Sequence, residues 1–212
     1  MIMVHEKPIL GRREARRLDR RETILAVARR SFLEQGYAAT TMSGIAAALG
    51  GSKATLWSYF PSKEALFEAV LDSATSAYRL EVSTLLHPCG DPERTLRAFC
   101  RSYLHKVTSP EAIALHRLVH AEAGRFPEMG AIFYERAPST IHALLEGFVE
   151  SAMERGLLRC DDPMRAAKVL TSLCVSGCYQ QLLLGQLEAP TPELIAADAD
   201  AAMDIFLRAY AP

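Results

Sequence analysis

Between Leu49 and Phe67 the sequence reads LGGSKATLWSYFPSKEALF. Ser52, Lys53, Ala54 and Thr55 stand together there, followed at short intervals by Trp57, Tyr59 and Lys63. A lysine can reach a phosphate or a guanine edge. An alanine allows close approach, and a threonine can hydrogen-bond or set its methyl against a thymine methyl. Trp57, the single tryptophan, and Tyr59 each pair an apolar ring with one polar hydrogen, which suits a place beside a sugar-phosphate wall. Lys63 follows a capping serine, Ser62, so lysine and helix start together form a clamp for phosphate. This is chemistry for touching a polyanion.

The charge distribution agrees. Residues 1–63 carry a balance of +6 and residues 64–212 a balance of −7, although the whole chain is only −1. A basic head on an acidic body implies a polyanionic partner for the head alone. Other reactive side chains fall in the acidic part. His116 and His120 are four apart and could share a metal on one helical face, but no third ligand is evident. Cys174 and Cys178 have the same spacing; they read as a redox pair or as inert core. No Gly-rich phosphate loop, His-Glu-x-x-His or Gly-x-Ser-x-Gly is present, and neighbours such as His120 and Glu122 do not form an acid/base pair on one helix face. The reading is therefore a non-enzyme without cofactor or metal. Five cysteines without Cys-x-x-Cys suit a reducing cytosol, and the first residues lack the apolar core of a signal peptide. Residues 169–187 are 19 uncharged positions, but the serines and glutamines among them favour a helix buried in protein over one in lipid.

The elements that position these groups are helices. Asp91-Pro92-Glu93, Ser109-Pro110-Glu111 and Thr191-Pro192-Glu193 share one grammar, and Asp162-Pro163 follows its first two parts. The first residue caps free N–H groups, proline loses nothing at the first helical position, and glutamate suits the positive end of the dipole. No strand pattern appears, so the fold class is all-α. The pattern predicts helices over 17–35 (ending at Gly36), 42–49, 53–59, a long one after Ser62, and then 92–107, 110–125, 128–135, 139–155, 163–184 and 192–209. Leu66, Val70, Ala74, Ala77 and Leu85 are expected to face inward on the long helix. Thr41 opens the second helix, Gly50 and Gly51 make a sharp corner, and Ser52 caps the third. Two short helices around a glycine turn are a helix-turn-helix, whose second helix can enter a major groove. Arg12, Arg13, Arg16 and Arg17 read either as a flexible basic arm able to enter a minor groove or as a solvated tail.

The stretch TTMSGIAAALGGSKATLWSYFPSKEALF, preceded by RRETILAVARRSFLEQGYAAT, resembles the DNA-binding signature of the TetR family of bacterial transcriptional regulators. The resemblance implies that positions matched by Thr41, Ser52, Lys53, Thr55, Trp57, Tyr59 and Lys63 face DNA, with Ala54 beside them. Two departures stand out. Gly51 replaces a small aliphatic residue of the turn, and Gly44 stands where an acidic residue often supports the second helix, so Thr41 lacks a capping-box partner. Residues 115–158 further resemble the C-terminal domain of the AefR-like branch.

The implied organisation is a basic arm (1–16), a helix-turn-helix domain (17–64) and a ligand-binding and dimerisation domain (65–212). Small side chains in the last two predicted helices suit a two-fold four-helix bundle, hence a homodimer on a roughly palindromic double-stranded operator. Candidate effector contacts are Phe99, Tyr103, His116, His120, Phe133, Tyr134, His142, Cys174, Cys178 and Tyr179. The expected function is a cytoplasmic, ligand-responsive repressor released by a small hydrophobic molecule, with no membrane partner. The alternatives are a redox-responsive regulator using Cys174 and Cys178, an all-helical enzyme, or an assembly protein.

Overall fold

The computed structural model describes residues 11–212, with the side chain of Arg12 set aside. Its described residues form eleven α-helices and no strand. They divide into two compact units, Met1–Val70 and Leu71–Pro212, a division slightly further along the chain than position 64.

The first unit holds α1 (Arg12–Ala39), α2 (Met42–Ala48), α3 (Lys53–Tyr59) and the start of α4 (Lys63–Leu85). Helix α1 begins at Arg12, so Arg13, Arg16 and Arg17 are exposed helical residues rather than members of a flexible arm; the rest of the expected arm lies outside the described residues. Gly36 does break the helix, with φ of 85°, after which one more short turn runs to Ala39. The hydroxyl of buried Thr40 lies within donating reach of the Gly36 carbonyl (2.7 Å) and the Ser31 carbonyl (3.0 Å), closing the break. Around it Phe32, Tyr37 and Phe67 pack ring against ring at 5.2–5.7 Å, with Ile24, Ala28, Ile45, Leu56 and Leu66 completing one apolar core.

The second unit contains the rest of α4, then α5 (Pro92–Val107), α6 (Pro110–Glu122), α7 (Pro127–Arg136), α8 (Pro138–Glu154), α9 (Pro163–Cys174), α10 (Cys178–Leu183) and α11 (Pro192–Tyr210). The four predicted caps all form. Asp91, Ser109, Asp162 and Thr191 accept from the amides of Arg94, Ala112, Arg165 and Leu194. Helices α5, α9 and α11 pack together around Leu96, Phe99, Leu170, Met203 and Phe206. Two expectations fail. On α4, Leu66 and Val70 are buried, half-buried Leu85 packs against the core of the second unit and half-buried Ala74 lines its cavity, but Ala77 is exposed; Leu71, Tyr78 and Val82 are the buried positions there. The helix expected over 163–184 is two helices. The Asp198 carboxylate, from α11, accepts from the Cys178 amide at 2.7 Å and occupies the space where a side chain on Gly177 would begin. That long-range cap starts α10 afresh.

Candidate nucleic-acid interface and effector cavity

Helix α3 is held by its buried side and presents its polar start. Leu56 and Phe60 are nearly fully buried. The Ser52 hydroxyl accepts from the Thr55 amide (3.2 Å) and lies 2.9 Å from the Thr55 hydroxyl, fixing the first turn. Lys53, Ala54 and Thr55 are exposed, and Trp57 is 48% exposed, so its indole is no core ring. Tyr59 is half-buried, with the Arg17 guanidinium 5.9 Å from its ring centre, a cation over an aromatic face. On the same side of α1, Arg21 stands 5.5 Å from the Phe60 ring.

The two glycines that depart from the family pattern have local reasons. The Thr41 hydroxyl accepts from the Gly44 amide at 3.0 Å, so α2 is capped without an acidic partner. At Gly51 a Cβ would stand 2.9 Å from the Arg20 guanidinium, so the missing side chain makes room for that arginine across the turn. Lys63 has a more structural setting than a simple phosphate clamp. Its ammonium donates to the Tyr37 carbonyl at 2.9 Å and lies 4.0 Å from the Tyr37 ring centre, tying the start of α4 to the end of α1. Ser62 caps α4 by accepting from the Ala65 amide. The Glu64 carboxyl is held below its usual range, first by its own backbone amide and then by the Ser62 hydroxyl.

The second unit has a cavity of about 90 Å³. Helices α4 to α8 line it. Of the ten candidate effector contacts, Tyr103, His116 and Phe133 are on the wall. Tyr179 is one layer behind: its hydroxyl lies 3.1 Å from His116 Nδ1, and the His116 ring meets Phe133 and Tyr179 edge-on. Burial, then the neighbouring His120, pushes the His116 pKa down to about 4, so the ring is neutral at physiological pH. The remaining candidates do not line the cavity. Phe99 is core, stacked on Tyr103 at 5.6 Å. Exposed His120 turns its Nδ1 to the His116 carbonyl, and Tyr134 is 49% exposed. The His142 Nε2 meets Thr171 Oγ1 at 3.1 Å, leaving Nδ1 buried without a partner. Cys174 and Cys178 are buried. Contact with the Cys100 thiol and burial raise the Cys174 pKa far above its usual value; burial and then Asp198 push Cys178 up to about 12. Thiolates are what react, so this favours inert core over a redox pair.

The sequence missed most of the wall: Thr75, Tyr78 and Arg79 from α4, Lys106 from α5, Leu115 from α6 and Ile141 from α8. Polar residues at one-turn spacing on α4 were a usable signal for the first three. Among the described residues no three metal-ligating side chains cluster, and no helix is long and apolar enough to cross a membrane.

Comparison with known proteins bears on both units. Residues 24–70 match the model for bacterial regulatory proteins of the tetR family, and residues 94–212 match that for the C-terminal domain of AefR-like transcriptional repressors. The HTH-type transcriptional regulator BetI of Rhizobium meliloti (strain 1021) is 29% identical over 161 residues, covering 76% of this chain and 76% of BetI. The structure of the Flavonoid-responsive Regulator FrrA superposes with a TM-score of 0.76 at 35% identity, covering 92% of this chain and 98% of FrrA. A TetR-family regulator from Mesorhizobium loti MAFF303099 gives 0.79 at 28% identity, covering 96% of this chain and all of that one. The chain belongs to the TetR family of bacterial transcriptional regulators, with a C-terminal domain of the AefR-like kind, and is a DNA-binding helix-turn-helix protein rather than an enzyme.

Proposed function

We propose that this regulator is a repressor that binds a palindromic operator as a homodimer and is released when a small, largely apolar molecule enters the α4–α8 cavity. The carrying observation is α3 itself: Ser52 caps it, Leu56 anchors it, and Lys53, Ala54 and Thr55 face solvent at its start. Thr41, Ser52, Trp57, Tyr59 and Lys63 contact the backbone, which sets register, while Lys53 and Thr55 read base edges. Arg13, Arg16 and Arg17 extend the basic surface along α1.

The dimer joins the outward faces of α9 and α11. The uncharged stretch keeps Ser172, Ser176, Gln180 and Leu184 exposed, and α11 exposes Ala197, Ala201 and Ile205. A surface groove along α9 adds Met164, Val169 and Leu173 to that face, with charged Asp162, Arg165 and Lys168 beside them. A two-fold pair of recognition helices requires half-sites about one helical turn apart, or a whole number of turns. Helix α4 runs from the cavity wall into the DNA-binding unit. An effector that prefers one tilt of α4 therefore changes the spacing of the recognition helices, with coupling of about 1–3 kcal/mol. FrrA, named for its response to flavonoids, supports an effector-responsive reading here.

The test is electrophoretic mobility of the promoter region of the protein's own gene, followed in parallel by emission of Trp57. A shift that weakens with salt and a matching change in emission are expected. No shift at low salt together with unchanged emission would overturn the reading.

A further inference from the structure

We infer that the effector of the α4–α8 cavity carries an acidic oxygen, a carboxylate or an acidic phenol, on a flat apolar frame, and that Lys106 holds that oxygen. The inference rests on the effector reading above and specifies its chemistry.

The cavity wall is rich in donors. Tyr78 lines the cavity and is only 8% exposed; its hydroxyl, beside the Ser102 side chain, is buried with no hydrogen-bond partner at ordinary distance among the described residues. An orphaned buried hydroxyl costs free energy until something enters to pair with it. Tyr103, half-buried on the same wall, is held in its neutral, donating form by its apolar surroundings. His116 is neutral, and its Nδ1 shares a hydrogen bond with the Tyr179 hydroxyl at 3.1 Å. Lys106 brings an ammonium group to the wall, and among the described residues it donates to the Ala74 carbonyl on α4 at 3.0 Å.

Arg79 and Arg136 both pair with the Asp72 carboxylate, at 3.0 and 3.7 Å, and Glu111, the carboxylate on the wall, sits exposed at the start of α6. A cation in a narrow, partly dry slot selects an anion because there the interaction is weakly screened. Between these donors the wall is apolar and aromatic, from Val107, Leu115, Phe133 and Ile141. The aromatic side chains of Tyr103, His116 and Phe133 on the wall suit a flat ring, and the small volume excludes a bulky ligand. An acidic oxygen seated at Lys106 also competes with the Ala74 carbonyl for the ammonium, so filling the cavity alters the tie between α5 and α4.

The experiment uses the full-length protein and three probes with one flat frame: trans-cinnamate, cinnamyl alcohol and cinnamylamine. Calorimetry and thermal shift should show cinnamate binding at least about ten-fold more tightly than the alcohol, with the amine weakest, a gap that corresponds to about 1.4 kcal/mol. Lys106→Gln should remove most of that preference while leaving the alcohol within a few fold; Lys106→Arg should keep it. Tyr78→Phe, which deletes only the orphaned hydroxyl, should raise or maintain the melting point of the free protein and weaken cinnamate. Equal binding of the alcohol or amine, a preference that survives Lys106→Gln, or binding of aliphatic compounds with none of the three probes would overturn the inference. Operator release, followed by mobility shift in the same preparation, tests effector responsiveness itself. A neutral compound that releases DNA would leave the regulator reading intact and remove this one.

Discussion

At the scale of single residues, the DNA-facing start of α3 combines rigidity with exposure. Ser52 pins the turn, so Thr55 pays little entropy when it meets a base. Thr55→Ala removes a hydroxyl and a methyl but leaves the backbone cap, because the Ser52 hydroxyl bonds the amide of residue 55. The variant should fold normally and lose about 1–3 kcal/mol of discrimination at one or two base pairs of each half-site. Competition against single-base operator variants would show this as a changed ranking, whereas a uniform loss would assign Thr55 to backbone contact. His116 yields a second residue-scale prediction. Its folded pKa of about 4 lies below the ordinary histidine value of 6.5, so protons bind the unfolded chain first as pH falls. The stability it contributes is complete above 6.5 and is lost between 6.5 and 4, amounting to about 2 kcal/mol by pH 5. Urea midpoints at pH 7.5 and 5 should therefore differ less in His116→Asn than in the parent.

At the scale of elements, the α9–α10 break depends on a contact between distant parts of the chain. Asp198 of α11 caps α10 at Cys178, and Gly177 leaves the space it needs. Gly177→Ala would push a methyl into that carboxylate, displacing the cap and the packing of α11 behind it. A destabilisation of about 1–3 kcal/mol in urea unfolding is expected, with Asp198→Ala costing about 0.5–2 kcal/mol by loss of the cap alone. In the double variant the two effects should fall short of their sum, since both remove the same contact. At Gly51, by contrast, an added methyl meets only the mobile end of Arg20, so Gly51→Ala should stay within about 1 kcal/mol of the parent.

At the scale of the whole molecule, the proposed repressor needs two copies. Ile205 is 51% exposed on the single chain, next to the small exposed faces of Ala197 and Ala201. Ile205→Glu should change the stability of one chain by no more than about 0.5 kcal/mol. Buried in a two-fold interface, however, the same charge faces its own copy. Sedimentation should then report a species of 23.3 kDa, and affinity for a two-half-site operator should fall by orders of magnitude. A variant that remains dimeric would move the interface elsewhere.

Local chemistry was legible in the sequence wherever cause and effect lie within a turn of each other. The caps at Asp91, Ser109, Asp162 and Thr191, the bounds of α3 and the break at Gly36 all depend on residues three or four apart. Their amino-acid types therefore sufficed, as they did for the family signature around Lys53. Tertiary structure decided what depends on crossing helices. It placed Lys63 on Tyr37, Asp198 on Cys178, and Tyr78 and Lys106 in one cavity while Phe99, Cys174 and Cys178 went to the core. Helical periodicity says which residues share a face. Only the packing of one helix on another decides whether that face meets a core, a cavity or solvent.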